Sequence, residues 1–289
     1  MSTILPPDQP AVERIVAAAL AEDAPWGDVT SNALIPEEVS ATAELTARES
    51  GVFAGAPVLR TVFRQVDSAV AVELKIQDGE RFEAGQVLAV ASGSARSILL
   101  AERVGLNLLQ RLCGIATLTA AFVAQAEGTK ARIADTRKTT PGLRPLERYA
   151  VRCGGGHNHR YSLSDAVMAK DNHLAVITNG GRRDLTEALR EAKARLPHTM
   201  HFEVEVDRAE QIEPVLAAGV DTIMLDNFSV DELRAGVAQV AGRALVEASG
   251  NVRLETVAGI AAAGVDIISS GALTHSVRSL DLGLDISIA

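Results

Sequence analysis

Residues 201–226 read HFEVEVDRAEQIEPVLAAGVDTIMLD. The apolar run HFEVEV (201–206) gives way to the amphipathic stretch RAEQIEPVLAAG, which leads into a second apolar run, DTIMLD (221–226). This is the pattern of a βα unit feeding a parallel sheet, whose neighbouring strands need a crossover helix between them. The alternation continues outward to RALVEAS (243–249) and VDIISS (265–270), and it begins earlier with ARIADT (131–136) and AVMAK (166–170). Stretches such as RRDLTEALREAKARL, SVDELRAGVAQVAG and NVRLETVAGIAAAG supply the helices between these six predicted strands.

Polar residues gather where the strands end: Arg137 and Lys138, Lys170, Glu205, Asp226, Ser249 with Gly250, and Ser270 with Gly271. In an α/β barrel all the carboxyl ends meet on one rim, so residues far apart in sequence become neighbours there. A doubly wound open sheet is the competing architecture, but no GxGxxG follows an early strand. Ahead of the barrel, residues 40–92 read as strands with Gly-containing turns and residues 94–127 as one or two long helices, which makes a separate N-terminal unit. Its DGERFEAGQVLA stretch has the look of a lipoyl- or biotinyl-type sandwich; no Lys sits between the two strands, which argues against a carrier role.

At 289 residues the chain exceeds the usual ~100–200 per domain. Hydrophobic residues make up 47% of it and aromatics only 3%, so its core is expected to be aliphatic. The opening MSTILPPDQPAVERIVAAALAED lacks the basic, then apolar, layout of an export leader, and charges interrupt the apolar runs. A cytoplasmic protein is the expectation. Cys113 and Cys153 are too few for a disulfide framework or a four-thiolate metal site and are read as buried spacers.

A formal charge of −9 argues against nucleic acid or an anionic membrane as the main partner. Between Lys130 and Lys170, however, nine Lys/Arg face three acids, a local charge of +6 that leaves −15 on the rest of the chain. That segment holds DTRKTTPGLR (135–144) and RCGGGHNHR (152–160) and runs into AKDNH (169–173). Arg matches carboxylate and phosphate with a planar fork, Lys offers a compact charge, and a Gly-rich loop brings backbone N–H groups close to an anion. The expected ligand is polyanionic. Glu205 and Asp226 end strands where a carboxylate can hold a hard divalent ion or ribose hydroxyls. Alternation puts Glu203 on the same side as Glu205, which lies nearer the strand's carboxyl end.

DTRKTTPGLR, GGGHNHR, AKDNH, EVEVD, LDNF, EASGN and SSGALTHS, with AERVGLNLLQRLCGIAT and EDAPWGDVTS upstream, closely resemble the quinolinate phosphoribosyltransferases nearly end to end. The resemblance implies an N-terminal α/β sandwich domain over residues 1–112, with 275–289 packing back on it, and an incomplete α/β barrel of about seven strands over 113–274. A seventh strand would then lie between Arg144 and His159 or at the barrel's edge. The implied reaction joins quinolinate to phosphoribosyl pyrophosphate with Mg2+, giving nicotinate mononucleotide, pyrophosphate and CO2 on the way to NAD. By similarity Arg103, Arg137, His159 and Arg160 hold the pyridine dicarboxylate. Lys138, Lys170, Glu205 and Asp226 meet phosphoribosyl pyrophosphate, the two acids also holding its metal, and Thr136 is a further substrate-binding residue. Ser249, Gly250, Ser270 and Gly271 cradle the 5′-phosphate, and Lys138, Lys170, Glu205 and Asp226 carry catalysis. The resemblance further implies a homodimer in which Arg103 reaches the partner's site.

Three other readings compete. A paralogue of the same fold would act on another anionic heterocycle or in metal-cofactor transport, but the set Arg103, Arg137 and Arg160 favours a dicarboxylate. A regulatory protein on a retained barrel would lack Lys138 or the metal acids, and both are here. A metal hydrolase is raised by His157 and His159, yet in such barrels an HxH pair ends the first strand rather than following a Gly run in a loop. His157 is expected as a loop or surface residue, and the roles of His173 and His275 stay open.

Overall fold

The computed structural model describes residues 4–288. Among them lie twelve strands: β1 (Ser40–Ala47), β2 (Gly51–Val52), β3 (Ala71–Leu74), β4 (Arg81–Phe82), β5 (Val87–Ser94), β6 (Arg132–Ala134), β7 (Val167–Ala169), β8 (Phe202–Val206), β9 (Thr222–Asp226), β10 (Leu245–Ser249), β11 (Ile267–Ser269) and β12 (Leu282–Ile288). They belong to two compact units that interleave along the sequence. Residues through 120, 139–155 and those from 273 onward form the first, and residues 121–138 with 156–272 form the second.

The first unit is built on an antiparallel sheet in the order β12-β1-β5-β3. Its central strand β1 reads SATAELTA, and the alternate residues Ala41, Ala43, Leu45 and Ala47 are buried, as the period of two demands. β12 pairs along the other edge of β1, from Ala41 opposite Ile288 to Ala47 opposite Leu282, so the C-terminal segment does return to the N-terminal sheet. Helix Gln9–Asp23 starts where the Asp8 carboxylate accepts the N–H of Ala11 and Pro10 fills the first turn. It packs on helix Ala56–Val66. Helix Ala95–Gln125 is long and apolar enough to span a membrane by composition alone, but Ile98, Leu109, Leu112 and Ile115 are fully enclosed, as in a core helix.

The second unit is a six-stranded parallel sheet in the order β6-β11-β10-β9-β8-β7, each strand close to its sequence-based position. Helices follow the strands and pack back on their neighbours, among them Val230–Val240 on β10 and Leu254–Ala262 on β11. A seventh full strand is not found among the described residues. In its place stands one parallel bridge between Ala134 and His157. His157 donates its N–H to Ile133 O (2.8 Å) and accepts from Asp135 N (3.0 Å), which extends the sheet beyond β6 by a single residue. His157 is therefore exposed, as expected, yet its backbone is part of the barrel.

Candidate active site

Strand alternation aims one residue in two into the barrel, and the carboxyl ends open on a cavity of about 460 Å³. β6 and its continuation contribute Thr136, Arg137 and Lys138; Lys170 follows β7; Glu205 comes from β8; Asp226 closes β9; Ser249 and Gly250 close β10; His159 and Arg160 come from the Gly-rich segment. These ten predicted residues line one cavity. Ser270 and Gly271 do not line it: Ser270 is buried, its N–H donated to Ala134 O and its hydroxyl to Val252 O, which ties the end of β11 to β6 and to the chain after β10. Ser269, one residue earlier, lines the cavity instead. Arg103 lies on the exposed side of helix Ala95–Gln125 in the first unit.

The loop carrying His159 and Arg160 is pinned from below by Asp135, the first residue of the DTRK motif. Its buried carboxylate accepts the amide of Asn158 (2.6 Å) and the backbone N–H of His159 (2.7 Å). Arg160 Nη1 donates to Ala166 O at 2.9 Å. Burial lowers the pKa of Arg160, and the neighbouring Arg137 lowers it further. Two guanidiniums side by side repel each other, and an anion with two negative groups relieves both.

Opposite charge sits across the same cavity. Lys170 Nζ is bonded to the Glu205 carboxylate. Asp226 accepts the amide of its neighbour Asn227 (2.6 Å), whose Oδ1 in turn accepts from Asn251 (2.9 Å), while Asn227 N–H donates to Ser249 O (3.0 Å). The ends of β9 and β10 are thus laced together, with Asn227, Gly250 and Asn251 all in the left-handed region. Asn227 and Asn251 line the cavity and were not singled out from the sequence, although they sit inside LDNF and EASGN. Glu205 and Asp226 each bring a carboxylate to this cavity, the donor type that a hard ion such as Mg2+ takes.

Glu203 and Glu205 have separate surroundings. Glu203 is 3% exposed and lies deeper in the barrel, where its Oε2 is 3.3 Å from His159 Nε2. Glu247 on β10 is 1% exposed and stands at the same 3.3 Å from that nitrogen. β8 and β10 are alternate strands, which is how barrel interiors fill a layer. Burial raises Glu203, and the charge of Glu247 adds to this. For His159 burial works against a second proton, while hydrogen bonds to Glu203 and Glu247 and their charges work the other way and raise it. The backbone N–H of Arg160 points at His159 Nδ1 (2.8 Å), so the neutral ring carries its proton on Nε2, toward the two carboxylates. Glu247 was not recognised from the sequence; the two-residue step from Ser249 in LVEAS is the signal that puts it inside.

The other titratable candidates have structural places. His173 Nδ1 accepts the N–H of Lys170 at 3.1 Å, capping helix Asp171–Ile177, and His275 Nδ1 pairs with the Ser276 hydroxyl. Both cysteines are buried, and burial pushes Cys113 up to about 12 and raises Cys153 as well, so neither is a nucleophile.

Comparison with known proteins matches residues 115–285 to the family model for the C-terminal domain of quinolinate phosphoribosyl transferase, and residues 28–113 to its N-terminal domain. A nicotinate-nucleotide pyrophosphorylase (carboxylating) of Mycobacterium leprae is 44% identical, over 94% of this chain and 95% of that protein. A probable enzyme of the same name from Bacillus subtilis is 42% identical, over 93% of this chain and 91% of that one. Among solved structures, NadC from Streptococcus pyogenes superposes with a TM-score of 0.93 at 40% identity, covering 100% of both chains.

Proposed function

The chain belongs to the quinolinate phosphoribosyltransferase family, and from that premise we propose that its barrel cavity joins quinolinate to phosphoribosyl pyrophosphate, releasing pyrophosphate and CO2 and leaving nicotinate mononucleotide. The observation that carries this is the division of charge within one cavity. Arg137 and Arg160 form a cationic side suited to a dicarboxylate, while Glu205 and Asp226 mark a side suited to a metal-bound diphosphate and its ribose.

In this reading Arg137 and Arg160 orient quinolinate so that its ring nitrogen faces the anomeric carbon. Bond breaking there develops oxocarbenium character, and rate comes from positioning and from cations around the departing diphosphate, a task for Lys138 and Lys170. Glu205 and Asp226 would hold Mg2+, which when bound neutralises charge on that leaving group. The left-handed turn at Gly250 beside Ser249 offers backbone room for the 5′-phosphate. Ribosylation leaves the pyridine nitrogen cationic, and the electron pair freed as the adjacent carboxylate departs as CO2 is stabilised beside it until that carbon takes a proton from water. No covalent nucleophile is called for. We extend the proposal to a homodimer in the cytoplasm, in which Arg103 serves the site of the partner subunit.

The direct test incubates the protein with quinolinate, phosphoribosyl pyrophosphate and Mg2+ and follows nicotinate mononucleotide. Nicotinate, which lacks one carboxylate and leaves part of the cationic side unpaired, should react at least ~100-fold less efficiently. Product should vanish in excess chelator and return with Mg2+ or Mn2+ but not depend on zinc. Equal rates with nicotinate, or full activity after metal stripping, would overturn the respective part of the proposal.

A further inference from the structure

Behind the floor of the active cavity the amino ends of the barrel strands enclose a second one, of about 370 Å³, lined by Arg132, His157, His201 and Thr222 among others. His159, Arg160 and Glu247 line both cavities. The imidazole of His159 therefore sits at a boundary with open space on either side, where a ring held only by its own backbone would be free to turn.

What holds it is the glutamate pair. Nε2 is 3.3 Å from one carboxylate oxygen of Glu203 and 3.3 Å from one of Glu247, and each of these residues is almost wholly buried. The other oxygen of each, Oε1, is buried with no hydrogen-bond partner among the described residues. Two buried carboxylates left that way cost free energy, and they are not held there by any lysine or arginine bridge among the described residues. At the opposite side of the ring Nδ1 accepts the backbone N–H of Arg160 at 2.8 Å. Asp135 fixes the backbone of His159, and Ala166 O holds the Arg160 guanidinium.

We infer that Glu203 and Glu247 are positioning residues that lock the His159 ring with its Nε2–H toward the barrel interior, so that Nδ1 holds the Arg160 backbone and fixes where the Arg160 guanidinium meets a substrate carboxylate. The inference rests on the quinolinate reading above and names the buried groups that make the dicarboxylate side rigid. His159 then acts on the substrate through Arg160. The same three side chains have the composition of a metal site, His with two carboxylates. A metal on Nε2 would require the ring proton on Nδ1, which already faces a donor, so the hydrogen-bonded form is the one the geometry supports.

The test uses the full-length enzyme. Glu247→Ala and Glu203→Ala should raise the quinolinate KM at least tenfold while leaving the KM for phosphoribosyl pyrophosphate within about twofold of wild type. Glu247→Gln, which keeps an acceptor for Nε2–H, should restore most of the loss, a rescue that a merely structural role would not give. Folded alanine variants with an unchanged quinolinate KM would overturn the inference. If they do not fold, long-range proton–nitrogen NMR of the wild-type protein decides it: the His159 signals, identified by their loss in His159→Gln, should carry the pattern of the Nε2–H tautomer, and either the Nδ1–H or the doubly protonated pattern would overturn it. Stoichiometric metal that disappears in Glu247→Gln would overturn it too. The tautomer is readable whether or not wild type consumes quinolinate, so a wild-type protein inactive on quinolinate but with Nε2–H would reject the functional reading alone.

Discussion

The ammonium of Lys170, just past β7, is bonded to the carboxylate of Glu205 on the next strand of the sheet, and both face the active cavity. Each charge neutralises the other while no substrate is present. If, as proposed, Lys170 meets the diphosphate and Glu205 its metal, an arriving diphosphate would compete with Glu205 for Lys170 and free the carboxylate for a cation, so the two residues should work as one unit. Lys170→Ala and Glu205→Ala are each expected to lower kcat/KM by at least ~100-fold, about 3 kcal/mol of transition-state stabilisation. The double variant should lie within about tenfold of the worse single one. Steady-state kinetics on the four proteins checks this, and strictly multiplicative losses would show two independent roles.

Gly250 has a φ of +84°, and a Cβ there would lie 2.3 Å from Asn227 Oδ1 and 2.8 Å from Asn227 N. The second contact is with backbone, so turning the Asn227 side chain does not relieve the crowding. Gly250→Ala should push apart the laced ends of β9 and β10 and raise the KM for phosphoribosyl pyrophosphate about tenfold or more. Thermal unfolding should shift by only a few degrees, because the loop lies outside the strands. A wild-type KM in a folded variant would remove this turn from the phosphate site.

If Arg103 serves the site of the partner subunit, Arg103→Ala and Lys138→Ala proteins, each inactive alone, should complement one another when their subunits exchange. Random exchange makes about half of the dimers mixed, each with one intact site and one doubly damaged, so about a quarter of wild-type activity should return. Exchange verified by mass spectrometry without recovered activity would place Arg103 elsewhere.

Glu49 and Arg278 tie the segment before β12 to the first unit. Arg278 donates to both Glu49 oxygens, at 2.8 and 2.5 Å, and Asp281 N–H donates at 2.8 Å. These bonds, that of Arg278 foremost, hold Glu49 down to about 2 from its ordinary 4.5. A depressed carboxylate contributes stability that is complete above its unfolded value and fades as pH falls through the folded one. The stability gap between wild type and Glu49→Gln should thus be constant above pH ~5 and close as pH falls from 4.5 toward 2. The pair is partly exposed, so the gap is small and best read as a shift in urea midpoint. A gap that widens in acid would contradict this.

The parallel sheet was legible because its strands are short apolar runs with helices at regular intervals, and the strand-end residues followed from barrel geometry. The seventh strand was not, since one residue, His157, has no periodicity to read. Alternation placed Glu203 and Glu205 on one side but could not say that two residues of rise separate a buried partner of His159 from a cavity-lining partner of Lys170. Glu247 was hidden by its setting: an acid in a strand reads as solvent-facing until a distant loop brings a histidine to it. The cap made by His173 depends on how Lys170 enters the next helix, which spacing alone leaves open.

The pairing of β12 with β1 bears on how the protein is made. Ala41 and Ile288 are partners, so during synthesis every parallel strand of the barrel is produced before the strand that covers this edge of the first sheet exists. Until then β1 can pair with β5 but offers an open row of N–H and C=O groups on its far side. Until β12 is made, the edge formed by residues 41–47 stays open to pairing with another strand.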